Sequence, residues 1–387
     1  MSSSFDNVIV GGGPAGSMLA LRLAAAGREV ILLEKQRGPH HKVCGEFLSA
    51  EALGYLKRIG IDARALGAEP IQYIRLHTGR KSVHAALPFP ALSLSRRVLD
   101  EALLEKAQSA GCDVRRGIFV EKLIPGSGGF SIRLRDNQVI RTNNVFLATG
   151  KHDLTDTPRN RGAQPDLVGF KMHWKLSPQS TENIRQAMEL FLFRGGYGGL
   201  ALIENDIANL CFAVHQRRMR ELGGWPELLS AIRKESPAIN QILSDATPCW
   251  PKPLAISPIP YGYIARSSNG IWRIGDQAAV IPSFTGDGMS IALHSAELAS
   301  EMFLAGKTPD TYLACLQTHL KSGMSFATTL SRIMVTTTGR LLAPAVLSAL
   351  PGALSWIAEH TRIPARVLRA ADLTRSAPTA HMPVSAA

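Results

Sequence analysis

The apolar positions at the start of the chain fall into three short runs. Residues 5–10, Phe5-Asp6-Asn7-Val8-Ile9-Val10, end in a continuous apolar stretch of the length a buried strand needs. Residues 17–26 carry apolar side chains at helical spacing until Gly27 stops them, and residues 29–33 form a second strand-like run that closes on Glu34. This pattern predicts a βαβ opening. A second helix is expected at 50–59 behind Ser49 as N-cap, and strands are expected within 71–87. A third helix, through residue 110, opens on Ser95-Arg96-Arg97 and puts Leu99, Leu103, Leu104 and Ala107 on one face. Strands follow at 112–114, 117–123, 130–134 and 144–150, the last ending in a glycine turn.

The middle of the chain reads as β-rich, with strands at 168–176, 187–194, 199–204 and 209–214 and Gly195-Gly196-Tyr197-Gly198-Gly199 between two of them, either as a hairpin loop or as a place where a ligand needs close backbone approach. Helices are expected at 225–234 and 238–244, extended chain through the four prolines of 250–263, a strand at 270–274 and a helix at 289–305. From Ser331 the chain is helical and apolar. Residues 341–358 carry no charge, but Pro344 and Pro351 break the run, and Ser348, Gly352 and Ser355 dilute it. A spanning helix needs about 20 apolar residues, so two short packed or interfacial helices are expected there. Arg340, Arg362, Arg366 and Arg369 flank them and make a peripheral membrane contact one reading of the segment. The tail, 374–387, is polar and expected to be disordered.

The glycines between the first strand and helix change the picture. Gly11-Gly12-Gly13-Pro14-Ala15-Gly16 fits G-x-G-x-x-G. Gly11 allows the tight turn, Gly13 lets backbone approach a pyrophosphate, and Gly16 lets helix and strand pack closely. The helix start then presents free N–H groups and a partial positive charge to the phosphates. Glu34, at the end of the second strand, is placed to accept hydrogen bonds from a ribose, and its charge disfavours a 2′-phosphate. With strand, helix, second strand and acidic terminus in register, a dinucleotide site outweighs a plain structural turn.

The 387 residues are enough for two or three domains, and 45% apolar with 19% charged residues is an ordinary globular composition. Only Met1-Ser2-Ser3-Ser4 precedes the first strand, so no signal peptide is expected and the cytoplasm is the expected location. Cys44, Cys112, Cys211, Cys249 and Cys315 show no C-x-x-C pairing and read as reduced thiols. The net charge of +12 is spread without a basic run or interleaved aromatics, which argues against nucleic acid. His40, His41 and Cys44 lack a second ligand cluster nearby in sequence, and no metal is expected. A further motif, Gly275-Asp276 followed by Gly286-Asp287-Gly288-Met289, combines an acid at a strand end with a helix start.

Three blocks in this order, Gly11 to Glu34, Arg96-x-x-Leu99-Asp100, and Gly275-Asp276 through Gly286-x-Gly288, resemble the para-hydroxybenzoate hydroxylase fold of FAD enzymes. The loop Lys42-Val43-Cys44-Gly45 is similar to the Cys-Gly loop of its geranylgeranyl reductase and flavin-dependent halogenase branch. The resemblance implies an α/β (α+β) fold: a Rossmann-like FAD-binding domain from 1–70, 91–160 and 265–330, an inserted β-sheet substrate domain from 71–90 and 161–264, and C-terminal helices over 331–373. It implies one non-covalent FAD on Gly11, Gly13, Pro14, Ala15, Gly16, Glu34, Lys35, Cys44, Gly45, Arg96, Thr149, Gly150, Gly275, Asp276, Gly286, Gly288 and Met289, reduced by NAD(P)H or a separate reductant.

The departures from that pattern matter equally. Thr149-Gly150 stands where the aromatic hydroxylases carry Asp-Gly, Glu46 stands where the reductases have a second glycine, and the Trp-x-Trp-x-Ile-Pro of many halogenases is absent. The expected activity is an FAD-dependent oxidoreductase on a hydrophobic small molecule, with hydroxylation of an aromatic or polyketide-like substrate through a C4a-hydroperoxide preferred. Reduction of C=C bonds in a lipid or isoprenoid, halogenation, and flavin binding without turnover are the alternatives. Glu46 and Cys44 are the candidate catalytic residues, as proton donors, and Phe170, Trp174, Phe191, Phe193 and Tyr197 the candidate apolar walls of the substrate pocket. The oligomeric state is not fixed by the sequence.

Overall fold

The computed structural model describes residues 3–350, 352–364 and 367–368; Pro351, Arg366, Arg369 and the expected tail lie outside the described residues. The chain opens with β1 (Ser3–Val10), α1 (Pro14–Ala25) and β2 (Val30–Glu34), then β3 (Phe47–Leu48), α2 (Ala50–Arg58), β4 (Glu69–Thr78), β5 (Lys81–Ser93) and α3 (Arg96–Ser109). Next come β6 (Asp113–Arg116), β7 (Val120–Gly126), β8 (Gly129–Leu134), β9 (Val139–Leu147), β10 (Leu167–Lys175), α4 (Pro178–Ile184), β11 (Ala187–Phe193), β12 (Gly196–Ile203) and β13 (Ile207–His215). Three short helices follow, α5 (Gln216–Leu222), α6 (Trp225–Glu235) and α7 (Pro237–Ile242), then five very short strands: β14 (Thr247–Pro248), β15 (Leu254–Ile256), β16 (Tyr263–Ile264), β17 (Trp272–Arg273) and β18 (Ala279–Val280). The last elements are α8 (Gly288–Leu304), α9 (Pro309–Met334), α10 (Thr337–Ala349) and α11 (Ala353–His360).

Two large sheets carry the molecule. In the first, the order β6-β2-β1-β9-β8-β7 has a parallel half, β6-β2-β1-β9, with β17 added in parallel to β9. Every residue of β2, Val-Ile-Leu-Leu-Glu, is buried, as a parallel strand covered on both faces requires. Helices α1, α3 and α8 supply one cover through Met18, Leu19, Leu103, Ala107, Leu293 and Ala296. A doubly wound sheet of this order binds ligands beyond the carboxyl ends of its parallel strands.

The second sheet runs β14-β10-β13-β12-β11-β4-β5-β3, with β15 on β10. It draws on both stretches expected for a substrate domain and takes β3 from the loop that follows β2. Strand alternation sends Phe170, Met172 and Trp174 of β10 into one core with Phe191, Phe193, Leu228 and Ile232 under α5–α7. Gly169, Lys171 and His173 therefore face the other way.

Several expected boundaries move, each for a physical reason. Helix α1 begins at Pro14 rather than Ser17, because proline is favoured at a first helical position and Gly13 serves as N-cap. Ser49 sits at the N-cap of α2, but its hydroxyl bonds Glu51 and Ser290 instead of the helix backbone. The glycine stretch 195–199 is not a loop: only Gly195 turns, and the other glycines begin β12. A Cβ on Gly196 or Gly198 would meet the Phe193 or Phe191 ring at 2.5 or 2.3 Å. Helix α10 continues through Pro344 rather than stopping there. Helices α4 and α5 are not visible as apolar periodicity, α5 being almost wholly polar.

Candidate active site

The βα turn makes a cradle only glycine can form. Gly11 has φ +109°, and a Cβ there would lie 2.5 Å from the Ala148 carbonyl; on Gly16 it would lie 1.9 Å from the Gly11 carbonyl. Helix α1 has no side-chain cap, so its first N–H groups are left for an incoming anion. Arg96 Nη2 and Lys42 Nζ lie 3.4 and 3.8 Å from where a Gly13 Cβ would stand. Glu34 is buried and accepts hydrogen bonds from the N–H groups of Gly12 and Gln36 at 2.7 and 2.9 Å. Those two bonds fix the carboxylate and leave it lone pairs to spare.

Arg96 is half-buried and lines the cavity wall, while its neighbour Arg97 is exposed. The Arg96 guanidinium forks onto Asp100 at 2.6 and 2.9 Å, and Lys42 joins the same carboxylate at 3.0 Å. Burial works against both charges of the pair, but each partner outweighs it: Asp100 holds Arg96 protonated and Arg96 holds Asp100 ionised. Lys35, also on the wall, has its pKa lowered by burial.

Across the cavity, β17 leads into Gly275 and Asp276. Gly275 has φ +58°, and a Cβ there would stand 3.0 Å from Ala15 Cβ, so this turn packs directly on the start of α1. Asp276 pairs with Lys151 at 2.9 Å; burial raises its pKa, and Lys151 more than reverses that. Thr149 bonds the His152 carbonyl, and Gln277 donates to the carbonyls of Gly150 and His152, which shapes the turn after β9. Helix α8 starts at Gly288 without a side-chain cap.

Asp287, its N-cap residue, is buried and turns instead to Arg362 at 3.1 Å. Burial raises its pKa to about 7, with Glu51 adding to the effect and Arg362 opposing it. A carboxyl whose pKa is higher folded than unfolded stabilises the fold while protonated and loses that contribution as pH rises through about 7. The wild-type Tm should therefore fall relative to that of D287N between about pH 4 and 7 and level off above that, as read by thermal melts in a pH series. Parallel curves for the two proteins would remove this assignment.

The glycine cradle, Glu34, Arg96, Lys42, Asp276 and the start of α8 all open on one cavity of about 1380 Å³. Of the residues assigned to FAD from the sequence, every one lies on its wall except Gly16, which packs behind Gly11. Pockets for a single drug-sized ligand run to roughly 300–1,000 Å³, so this larger space suits a dinucleotide together with a second molecule. Further walls come from Leu190 and Tyr197 of the second sheet and from Leu342, Val346, Leu354 and Ile357 of α10 and α11. Of the five aromatic residues expected to line a substrate pocket, only Tyr197 does; Phe170, Trp174, Phe191 and Phe193 point into the opposite core.

The Cys44 to Glu46 loop crosses the middle of this cavity. Cys44 accepts the Glu46 N–H at its sulfur, 3.3 Å away, and its carbonyl accepts from Asn209. Glu46 has φ +59° and is fully buried. Its Oε1 accepts the Arg96 N–H at 2.8 Å and meets Lys171 Nζ in a very short contact, and its Oε2 lies 3.0 Å from His173 Nε2. Burial raises the Glu46 pKa, but Lys171 and His173 together bring it below the usual value, so it rests as a carboxylate. Glu46, expected from the sequence as a proton donor, thus rests as a carboxylate between Lys171 and His173.

Sequence reading missed Lys171 and His173. Their signal was two polar residues at alternate positions in an otherwise apolar strand. His41 and Trp250 cover the cluster, with ring centroids 4.8 and 4.7 Å from that of His173. The pKa of His41 is lowered to about 4 by burial and then by Lys171. His41, Glu46 and His173 bring three potential metal ligands within 4.8 Å of one another, but the Lys171 ammonium already supplies the positive charge at Glu46. All five cysteines are free thiols.

Residues 4–143 match the FAD binding domain family. The chain is 26% identical to menaquinone reductase of Mycolicibacterium smegmatis over 86% of its own length and 85% of the relative. It is also 26% identical to digeranylgeranylglycerophospholipid reductase 2 of Methanopyrus kandleri, over 77% and 76% of the two chains. Among solved structures, a myxobacterial FAD-dependent chondrochloren halogenase superposes with a TM-score of 0.73 at 20% identity, over 93% of this chain and 91% of that one. The glycine cradle, the sheet order and the domain match agree: residues 4–143 resemble an FAD binding domain, and the chain as a whole shares the fold of that halogenase. It has the fold that its three motif blocks resemble.

Proposed function

We propose that the protein reduces carbon–carbon double bonds in an amphiphilic, isoprenoid-like substrate, with FAD seated between the starts of α1 and α8. The observation that carries this reading is the continuity of one cavity. It runs from the glycine cradle, past Cys44 and Glu46, to the aliphatic walls of α10 and α11. A polar or unsaturated head would lie by the loop, and a long apolar tail along Leu342, Val346, Leu354 and Ile357. The two sequence relatives described above bear the names of reductases, one of a quinone and one of a digeranylgeranyl lipid.

The cavity fits FAD on this structure's own features: positions no side chain can occupy, an uncapped helix start, and a fixed carboxylate at a strand end. Reduced FAD supplies a hydride equivalent to its substrate, so the protein must supply a proton at the other carbon and keep water away. The buried Glu46 cluster and the aliphatic walls serve those two needs. No helix among the described residues is long and apolar enough to cross a membrane. Helices α10 and α11 are nevertheless apolar outside as well as inside, with Leu341 and Trp356 at 63 and 50% exposure and Leu350, just after α10, at 58%. Such helices would rest on the bilayer that dissolves the substrate.

The test is anaerobic turnover. FAD-loaded protein, reduced by dithionite under argon, should add hydrogen across double bonds of a geranylgeranyl lipid or of menaquinone, read by mass spectrometry. Turnover that requires O2 and adds an oxygen or halogen atom would replace this reading with hydroxylation or halogenation.

A further inference from the structure

Glu46 occupies a backbone conformation that costs an ordinary residue about 1–2 kcal/mol. The fold accepts that strain and places there a carboxylate with no exposure, joined to an ammonium with no exposure and to a 3% exposed imidazole. Only Glu46 of these three lines the cavity; Lys171 and His173 lie behind it on β10. The other ionisable groups around it are Cys44 in the same loop, His41, Cys211 of β13, and Arg96, whose side chain is taken by Asp100.

We propose that Glu46, Lys171 and His173 act as one proton-holding unit for the reaction in the cavity, with Glu46 facing the substrate and Lys171 as the store behind it. This rests on the reductive reading above. At rest Glu46 is a carboxylate and Lys171 an ammonium. A proton moves from Lys171 Nζ to Glu46 Oε1, leaving a neutral amine. The Glu46 O–H bond then breaks as a C–H bond forms on the substrate, and its electron pair stays on the carboxylate. The reductant already named, a reduced flavin, provides the other hydrogen with its electron pair. A solvent proton returns by way of His41, which lines the cavity, has an unpartnered buried Nδ1 and packs edge-on to His173. Lys171 and His173, buried behind the cavity wall, hold the proton out of contact with bulk water until it is used.

The alternative is a buried ion pair that only holds the loop. Lys171→Arg separates the two, because arginine keeps the cation but cannot release its proton. With a geranylgeranyl lipid as probe, both K171R and K171M should lose at least about 100-fold in kcat, with FAD content kept and KM little changed. Wild-type kcat in K171R would overturn the proposal. A second readout needs no turnover. Infrared difference spectra of FAD-loaded protein, with E46Q and the charge-neutral double variant E46Q/K171M as references, should show Glu46 ionised in wild type and protonated in K171M at neutral pH. A carboxylate band unchanged by K171M would also overturn it. Failure of the wild type to reduce the probe would instead fall on the reductive reading and leave the infrared result to decide the proton unit.

Discussion

Alanine at Gly16 should leave the protein colourless, with FAD affinity reduced more than about 100-fold and a lowered Tm. The added Cβ would stand 1.9 Å from the Gly11 carbonyl oxygen and 3.2 Å from Ala148 Cβ. The first of these is backbone, in the turn that leaves β1, and cannot rotate aside. Relief requires α1 to move away from β1, which carries its first N–H groups out of line with a pyrophosphate. The control is Gly54→Ala in α2, where nothing lies within 4 Å of the new atom. That change should stabilise the helix by about 0.5–1 kcal/mol and leave FAD binding untouched. Fluorescence titration of the apoproteins with FAD, together with thermal melts, reads both outcomes. Equal affinity in the two variants would refute the close-packing role of Gly16.

Removing the Glu46 carboxylate by Glu46→Ala should destabilise the fold by about 3–5 kcal/mol, because an unexposed Lys171 charge is left without its partner. Relief of the φ +59° strain is too small to offset this, since alanine keeps a Cβ in the same left-handed region. Lys171→Met should then restore most of the loss in the double variant, as the buried charge is gone. Urea denaturation of the four proteins in the cycle gives the coupling directly. A cycle with no coupling would show that the pair does not act as one unit in the folded protein.

The nucleotide half of the site was legible because it is local. A glycine turn, an uncapped helix start and a carboxylate at a strand end are set by residues within a few dozen positions, and each type is dictated by backbone conformation or contact distance. Gly275-Asp276 was legible for the same reason. The Glu46 cluster was not, since Lys171 and His173 reach Glu46 across 125 and 127 positions and only strand pairing decides which face of β10 they occupy. The same alternation explains the misplaced aromatic walls: Phe170 and Trp174 share the face opposite Lys171 and His173. Helix α5 was missed because a nearly all-polar segment offers no period to read, and Pro344 misled because tertiary packing can hold a helix through a proline.

One titration tests the central claim, that residues from α1, the Cys44 loop and α8 enclose a single FAD beside an apolar substrate space. Folded apoprotein should take up one equivalent of FAD non-covalently and turn yellow, whereas E34A and D276A should bind it far more weakly. Wild-type protein that is properly folded and takes up no FAD, or variants that bind as tightly as wild type, would contradict the account.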